Sequence, residues 1–153
     1  MGYAKQGQNT AGIHTRLFSR AFIVEQDDIR VAFVSADLAM MGQLVKLRVV
    51  EELEAVLPGH YSEQNLVISA THTHSGPAGF MQYVLFNVPN LGFIKQTLDA
   101  MVEGIVLSVV RAHHSIAPGR LYHSLGRVQE QVSLTPAIHT RLSLITDVAL
   151  YFS

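Results

Sequence analysis

A long stretch of helical periodicity between Asn90 and His114 constrains the fold more than any other feature of this sequence. Its apolar residues recur three or four positions apart, and more of them widen the resulting stripe. The stripe consists of Ile94, Leu98, Met101, Ile105 and Val109, widened by Val102, Val106 and Val110. This width predicts a helix that is buried over most of its surface. Charged residues interrupt the stripe, so it does not predict a membrane span, which needs about 20 mostly apolar residues.

Shorter patterns predict a sheet beside this helix. The runs Arg20–Glu25 and Arg30–Ser35 flank a polar turn and are typical of a β-hairpin. Residues 44–57 have helical spacing and end at a Pro-Gly pair. Asn65–Ala70 is a compact apolar run that predicts a strand buried on both faces, and Arg120–His123 predicts a further strand. The order β-β-α-β-α-β therefore indicates an α/β domain, with a mixed sheet and helices packed on it.

The composition excludes several classes of protein. Of the 153 residues, 48% are hydrophobic and 15% are charged, so a mainly disordered chain is excluded. Eleven basic and twelve acidic residues leave no basic excess, so we expect no nucleic-acid partner. Without cysteine the chain can form neither a disulfide framework nor a thiolate metal site. We also find no signal-peptide pattern and no transmembrane pattern in the sequence.

Two histidines in the segment Ser69–Gly79 are the strongest candidates for chemistry. His72 and His74 follow the apolar run, and their rings would share one face if strand geometry continued to that point. Neutral imidazole is a good zinc ligand, so both rings could bind one metal, or one could bind metal while the other holds substrate or a proton. Solvated histidines at a polar turn are the simpler alternative. Three neighbouring residues, Thr71, Thr73 and Ser75, carry hydroxyls that could fix the tautomer of a histidine ring by hydrogen bonding.

Other polar residues have simpler interpretations. Asp37 ends an apolar run, and we interpret it as a cap or turn acceptor in preference to a carboxylate that supports a metal ligand. We expect His14 to lie on the surface. His113 and His114 end the long helix, where a positive charge interacts favourably with the helix dipole.

A set of collinear motifs over residues 1–122 resembles the catalytic region of the neutral ceramidases, which hydrolyse the amide bond of N-acylsphingosine. The segment Thr71–Pro77 has the sequence THTHSGP. Together with the other matching segments, it is highly specific for this family. These segments are Met1–Ala4, Gly12–Arg16, Ser19–Ile23, Val31–Leu38, Gln82–Phe86, Gly92–Gln96, Asp99–Ile105 and Ala117–Arg120.

The resemblance implies roles for three residues. His72 corresponds to a zinc ligand, and His74 to an active-site residue that contacts the polar head of the substrate and takes part in catalysis. Gly2 corresponds to a glycine that lines the same site. The implied reaction is zinc-assisted amide hydrolysis. The implied substrate is ceramide at a membrane surface, and the implied location is secreted or at the cell surface.

The resemblance also implies that the chain is an incomplete portion of a larger zinc-hydrolase domain. Three further zinc ligands of the family, a His, a Glu and a Tyr, come from segments that this sequence does not contain. We therefore expect residues 1–124 to form the first part of a ceramidase catalytic domain, and residues 125–153 to be a divergent tail. Since catalytic zinc normally has three protein ligands, the isolated chain is expected to be inactive.

Two alternatives remain beside the hypothesis that the chain is part of a ceramidase. The first is a truncated or spliced, catalytically inactive ceramidase-like protein. The second is an unrelated metal-dependent amidohydrolase in which the two histidines end a barrel strand. A barrel of that kind needs about 250 residues, so we disfavour the second alternative.

Overall fold

The computed structural model describes residue 7 and residues 11–121. This part of the chain contains three strands and three α-helices, and the order β-β-α-β and the long helix that follows agree with the prediction. The elements are β1 (Ser19–Gln26), β2 (Ile29–Ala36), α1 (Gln43–Val56), β3 (Leu66–Ala70), α2 (Val84–Asn87) and α3 (Lys95–His114). A 3₁₀ turn, Val88–Asn90, follows α2. The mixed sheet with packed helices confirms the predicted fold class, and the short helix α2 was not predicted.

The sheet has the order β1-β2-β3, with one antiparallel pair and one parallel pair. β1 and β2 form the predicted hairpin, in which Gln26 pairs with Ile29 across a two-residue turn. Asp27 in that turn has a φ of 53°, a left-handed conformation that Asp tolerates better than most residues. The crossover through α1 makes β2 and β3 parallel, so both strands end at the same edge of the sheet.

Among the described residues, helices cover one face of the sheet and leave the other exposed. Alternate residues of β2 are buried against α1 and α3, namely Ala32, Val34 and Ala36. The opposite face is apolar but exposed, and it carries Val24, Val31, Phe33 and Val67. The prediction that 65–70 is buried on both faces is therefore wrong for the described residues. β3 alternates between buried and exposed positions because the helices pack on one side only.

The helix α3 packs one side of the predicted stripe against the sheet and α1. The prediction that the helix is buried over most of its surface is wrong, because residues such as Glu103 and Leu107 are exposed. Five of its residues form the core contact, namely Leu98, Met101, Val102, Ile105 and Val109. The helix begins at Lys95 and not near Asn90, because Leu91 and Gly92 both have positive φ and interrupt the helical backbone. Ile94 becomes the N-cap residue and is 41% exposed, so it leaves the buried stripe.

Residues 1–116 form one compact unit and residues 117–153 a second. In the second unit the structure describes only residues 117–121, which are irregular and exposed. Residues 120 and 121 are thus not in the predicted strand, and the remainder of that strand lies outside the described residues, as does the whole of the predicted tail, residues 125–153. Within the described part of the chain, no helix has the length and apolar character needed to cross a membrane.

Candidate functional site

The two candidate histidines lie at the edge of the sheet where β2 and β3 both end. β2 ends at Ala36 and β3 at Ala70, and their parallel pairing is extended by a hydrogen bond from Thr71 N–H to the Ala36 carbonyl. The chain that leaves β2 and the chain that leaves β3 therefore start side by side. This is the edge at which binding sites usually gather in α/β sheets.

A sharp change of backbone conformation occurs at His72, two residues after β3. Its φ is 62°, which is in the left-handed region and costs an ordinary residue about 1–3 kcal/mol. The turn directs the ring towards the segment that follows β2, where Nδ1–H donates to the Ala39 carbonyl at 2.7 Å. Because Nδ1 carries the proton in the neutral ring, Nε2 keeps a lone pair.

The ring of His74 lies against that of His72. The two Nε2 atoms are 3.2 Å apart, and the ring planes are nearly perpendicular. With the proton of His72 on Nδ1, Nε2–H of His74 is the donor to Nε2 of His72. The premise that strand geometry continues to these residues is wrong, since β3 ends at Ala70. The left-handed turn at His72 brings the rings together instead.

The ring of His72 is not held by the hydroxyls near it. The Thr73 hydroxyl accepts a hydrogen bond from Ser75 N–H at 3.3 Å, and the Thr71 hydroxyl donates to the carboxylate of Asp37. The partner of the His72 ring is a backbone carbonyl, that of Ala39. The prediction that hydroxyls fix its tautomer is therefore corrected. No side-chain pattern in the sequence marks a backbone carbonyl as a partner.

Asp37 ties three segments together at this edge. Its carboxylate accepts hydrogen bonds from Phe18 N–H at 2.9 Å and from Arg20 at 3.1 Å, and from the Thr71 hydroxyl. These donors, the Phe18 amide foremost, hold the pKa of Asp37 below its ordinary value. The prediction of an acceptor role is confirmed. Sequence reasoning missed that one of its donors is Thr71, the residue before His72.

The ring nitrogens at this edge are suited to a zinc ion to which this chain contributes one or two ligands. A carbonyl that orients the far nitrogen of a ligating imidazole is a usual arrangement in zinc sites. Two ligands of a tetrahedral zinc lie about 3.3–3.4 Å apart, close to the observed separation of the two Nε2 atoms. The geometry thus admits either arrangement left open by the sequence. No cluster of three or more His, Cys, Asp or Glu residues suited to a metal occurs among residues 7 and 11–121.

The remaining candidates lie away from this pair or outside the described residues. Gly2 is outside them, so its predicted role stays a prediction. His14 is exposed, as predicted. His113 differs from prediction: its Nδ1 is 3.0 Å from the hydroxyl of Tyr61, and burial lowers its pKa. The neutral ring is therefore favoured, which opposes the predicted role of His113 as a cation at the end of the helix.

Comparison with known proteins identifies the family to which this site belongs. The family model described as "Neutral/alkaline non-lysosomal ceramidase, N-terminal" matches residues 1–133. The chain belongs to the neutral/alkaline non-lysosomal ceramidase family. This result confirms the resemblance on which the roles of the two histidines depend.

Individual ceramidases agree with the family assignment. The chain is 45% identical over 131 residues to the neutral ceramidase of Pseudomonas aeruginosa, and 46% identical over 129 residues to neutral ceramidase 1 of Arabidopsis thaliana. Each match covers 84% of this chain, but 20% and 17% of the relatives. A crystal structure of the Pseudomonas aeruginosa enzyme superposes with a TM-score of 0.81, over 84% of this chain and 21% of that one. The chain thus spans about a fifth of the ceramidases that it matches.

Proposed function

We propose that this chain supplies part of the active site of a ceramidase, which hydrolyses the amide bond of ceramide to sphingosine and a fatty acid. The observation that supports this most is the family match over residues 1–133, which contains the histidine pair at the ends of two parallel strands. The proposal extends to the zinc dependence of the reaction and to the roles of individual residues.

His72 is proposed as the zinc ligand of this chain. Its Nδ1–H is engaged by the Ala39 carbonyl, so Nε2 is the nitrogen available to a metal. Bound zinc would supply Lewis acidity, which lowers the pKa of water towards neutrality and polarises a carbonyl group. One histidine falls short of the three protein ligands usual for catalytic zinc. The other ligands would therefore come from residues beyond those described here.

His74 is proposed as the catalytic and substrate-contacting residue. Its Nε2–H points at Nε2 of His72, so it reaches the same small volume in which the metal would lie. From there the imidazole can hold the polar head of the substrate and move a proton to or from the reacting amide. Gly2 is proposed to line the same site.

The substrate and setting follow from the same proposal. Ceramide is a lipid, so the reaction would take place at a membrane surface, and the protein would be secreted or located at the cell surface. The chain would act as one portion of a larger catalytic domain. Two observations support this: the chain spans about a fifth of its relatives, and in the part of the chain that the structure describes one apolar face of the sheet is exposed.

A chimera tests the proposal directly. Residues 1–133 of this chain would replace the matching segment of the Pseudomonas aeruginosa neutral ceramidase, and sphingosine release from ceramide and bound zinc would both be measured. We expect the chimera to bind zinc and hydrolyse ceramide. His72→Ala should remove metal and activity together, whereas His74→Ala should keep metal and reduce turnover by about 10²–10⁴-fold.

Controls separate these roles from general damage. His114→Ala replaces an exposed histidine at the far end of α3 and should leave zinc and turnover unchanged. Full zinc occupancy in His72→Ala would show that the assigned roles are wrong. Loss of zinc in His74→Ala would show that both rings bind the metal.

A second candidate function is a catalytically inactive, truncated or spliced ceramidase-like protein. It is favoured by the shortage of metal ligands among the described residues. We expect the purified 153-residue chain to show no measurable ceramide hydrolysis, and zinc-dependent turnover by that chain would contradict this. A chimera that folds but neither binds zinc nor hydrolyses ceramide would favour the inactive protein over the enzyme.

A further inference from the structure

The carboxylate of Asp37 lies at the centre of a hydrogen-bond network that ends one residue before His72. Its Oδ2 accepts from Phe18 N–H at 2.9 Å, and its Oδ1 accepts from the guanidinium of Arg20 at 3.1 Å. The hydroxyl of Thr71 is a further donor to the same carboxylate. Asp37 therefore connects the start of β1 to the chain that leaves β3.

The attachment of Asp37 to β1 is firm. Its side chain is 18% exposed, so the protein donors take the place of most of the water around the charge. Its backbone N–H also donates to the Phe18 carbonyl at 2.9 Å, so the backbone and the side chain of Asp37 bind the same residue. Hydrogen bonds to an ionised acceptor are about twice as strong as those between neutral groups. Asp37 thus offers a fixed point to which the side chain of Thr71 is attached.

Thr71 passes this constraint on to His72. Its N–H donates to the Ala36 carbonyl at 3.0 Å, and its hydroxyl donates to Asp37, so the residue is held by both its backbone and its side chain. The next residue, His72, has a φ of 62°. Such a conformation persists only where the surroundings determine it strongly. The hydroxyl of Thr71 is the side-chain anchor closest in the chain to this strained position.

Asp37 also fixes the acceptor that binds the ring. The Ala39 carbonyl, which accepts from Nδ1–H of His72 at 2.7 Å, lies two residues after Asp37. The donor and the acceptor of this hydrogen bond are therefore both referred to Asp37, one through Thr71 and the other through the chain that leaves β2. With the proton held on Nδ1, Nε2 keeps its lone pair.

We propose that Asp37 is a positioning residue of the zinc site, which acts through Thr71 to hold His72 in the conformation that presents Nε2 to the metal. The inference rests on the proposed function, because it takes His72 as the zinc ligand. It adds to that function a residue that acts on the ligand through its neighbour and not on the metal.

The first test uses the metal-free 153-residue chain and requires no zinc and no catalysis. The ¹⁵N shifts of the His72 ring would be measured by NMR at about pH 8, where an imidazole is neutral. In the wild type the proton should lie on Nδ1. Thr71→Val keeps the shape of the side chain but removes the hydroxyl, so the population with the proton on Nδ1 should fall. Thr71→Ser keeps the hydroxyl and should behave like the wild type.

The second test measures zinc affinity in the chimera by competition with a chelator. Thr71→Val should weaken zinc binding by about 2- to 13-fold, which corresponds to one ordinary hydrogen bond. Asp37→Ala should weaken it by about 10- to 100-fold, the range for loss of groups that orient metal ligands. The double variant should bind zinc no more weakly than Asp37→Ala, because both changes break the same link.

Glu25→Ala is the matched control, since it also removes a carboxylate that binds an arginine of the same hairpin. Glu25 accepts from Arg30 at 2.7 Å, next to the turn and at the opposite end of the strands from Asp37. Glu25→Ala should leave the His72 tautomer and the zinc affinity unchanged. If circular dichroism shows that Asp37→Ala is unfolded, the comparison of Thr71→Val with Thr71→Ser decides the question.

Two results would each overturn the inference. One is a His72 tautomer in Thr71→Val that matches the wild type, and the other is a zinc affinity that is the same in Thr71→Val and Thr71→Ser. Failure of the proposed function gives a different result. A chimera that binds no zinc even without these substitutions would refute the proposed function, whereas the metal-free measurement would still decide whether Asp37 and Thr71 position the ring.

Discussion

The loop that carries the histidines closes against α3 at Gly79, and this contact can be tested by adding one methyl group. Gly79 has a φ of 86°, and its carbonyl accepts a 2.7 Å hydrogen bond from Ile94 N–H, the N-cap residue of α3. A Cβ atom at Gly79 would lie 2.7–3.0 Å from three side-chain atoms of Ile94. We therefore expect Gly79→Ala to destabilise the fold for two reasons, the left-handed backbone at this position and the steric contact with Ile94.

The magnitude follows from adding these causes. The left-handed backbone costs an alanine about 1–2 kcal/mol. Forcing a methyl group against Ile94 costs about 1–3 kcal/mol, because the closest atoms include Cβ, which cannot rotate away. Alanine also lowers the conformational entropy of the unfolded chain, which stabilises the folded state by about 0.4–1 kcal/mol. The expected decrease in the free energy of unfolding is about 1–5 kcal/mol.

Urea denaturation of the 153-residue chain would measure this change as a shift of the transition midpoint at constant slope. Gly59→Ala is the matched control, because Gly59 has a similar φ of 73° but an added Cβ would meet nothing within 4 Å. It should cost only about 1 kcal/mol. Adding Ile94→Ala to Gly79→Ala should relieve the steric part. Equal effects of Gly79→Ala and Gly59→Ala would refute the role of the Ile94 contact.

Three further predictions concern stability. Gly104→Ala should raise the free energy of unfolding by about 0.5–1 kcal/mol in the same assay, because its Cβ meets open space in a helix. The lowered pKa of Asp37 means that its carboxylate stabilises the fold above about pH 4 and that this contribution is lost as the pH falls further; urea midpoints for Asp37→Asn should lack this loss. The lowered pKa of His113 means that the unfolded chain binds the proton more readily, so stability should fall as the pH drops below about 6.5; a His113→Gln protein that retains the full decrease would contradict this.

The predicted fold was largely correct because hydrophobic periodicity records which side of each element faces the core. The buried residues of α3 follow the predicted stripe, and β1 and β2 form the predicted hairpin. The prediction for β3 was wrong for a related reason. A short apolar run is typical of a strand covered on both faces. In the described residues helices cover only one face, so Val67 is exposed despite its apolar character.

The beginning of α3 shows a second limit of periodicity. Apolar spacing continues back through Ile94, but the backbone at Leu91 and Gly92 is left-handed. Hydrophobic periodicity indicates which side chains are favoured in the core, but it carries no information about the backbone angle φ. The glycine at position 92 was the only signal of a helix boundary there, and the spacing of its neighbours outweighed it.

The proximity of the two histidine rings was predicted from the sequence, but for the wrong reason. The prediction placed the two rings on one face through strand geometry. In the structure, the left-handed backbone at His72 turns its ring to the Ala39 carbonyl, and His74 then reaches the remaining nitrogen. Such a turn is rare for a residue with a side chain, so no propensity would have predicted it.

The strain at His72 and the contacts of Asp37 are connected by the topology. A residue keeps a left-handed backbone only where its surroundings determine the conformation strongly. Here the residue before it, Thr71, is held twice, by the Ala36 carbonyl through its N–H and by Asp37 through its hydroxyl. Both anchors come from the chain that leaves β2, and so does the carbonyl that binds the ring. The parallel pairing of β2 and β3 thus places these three contacts around Thr71 and His72, and the ring of His74 adds a fourth.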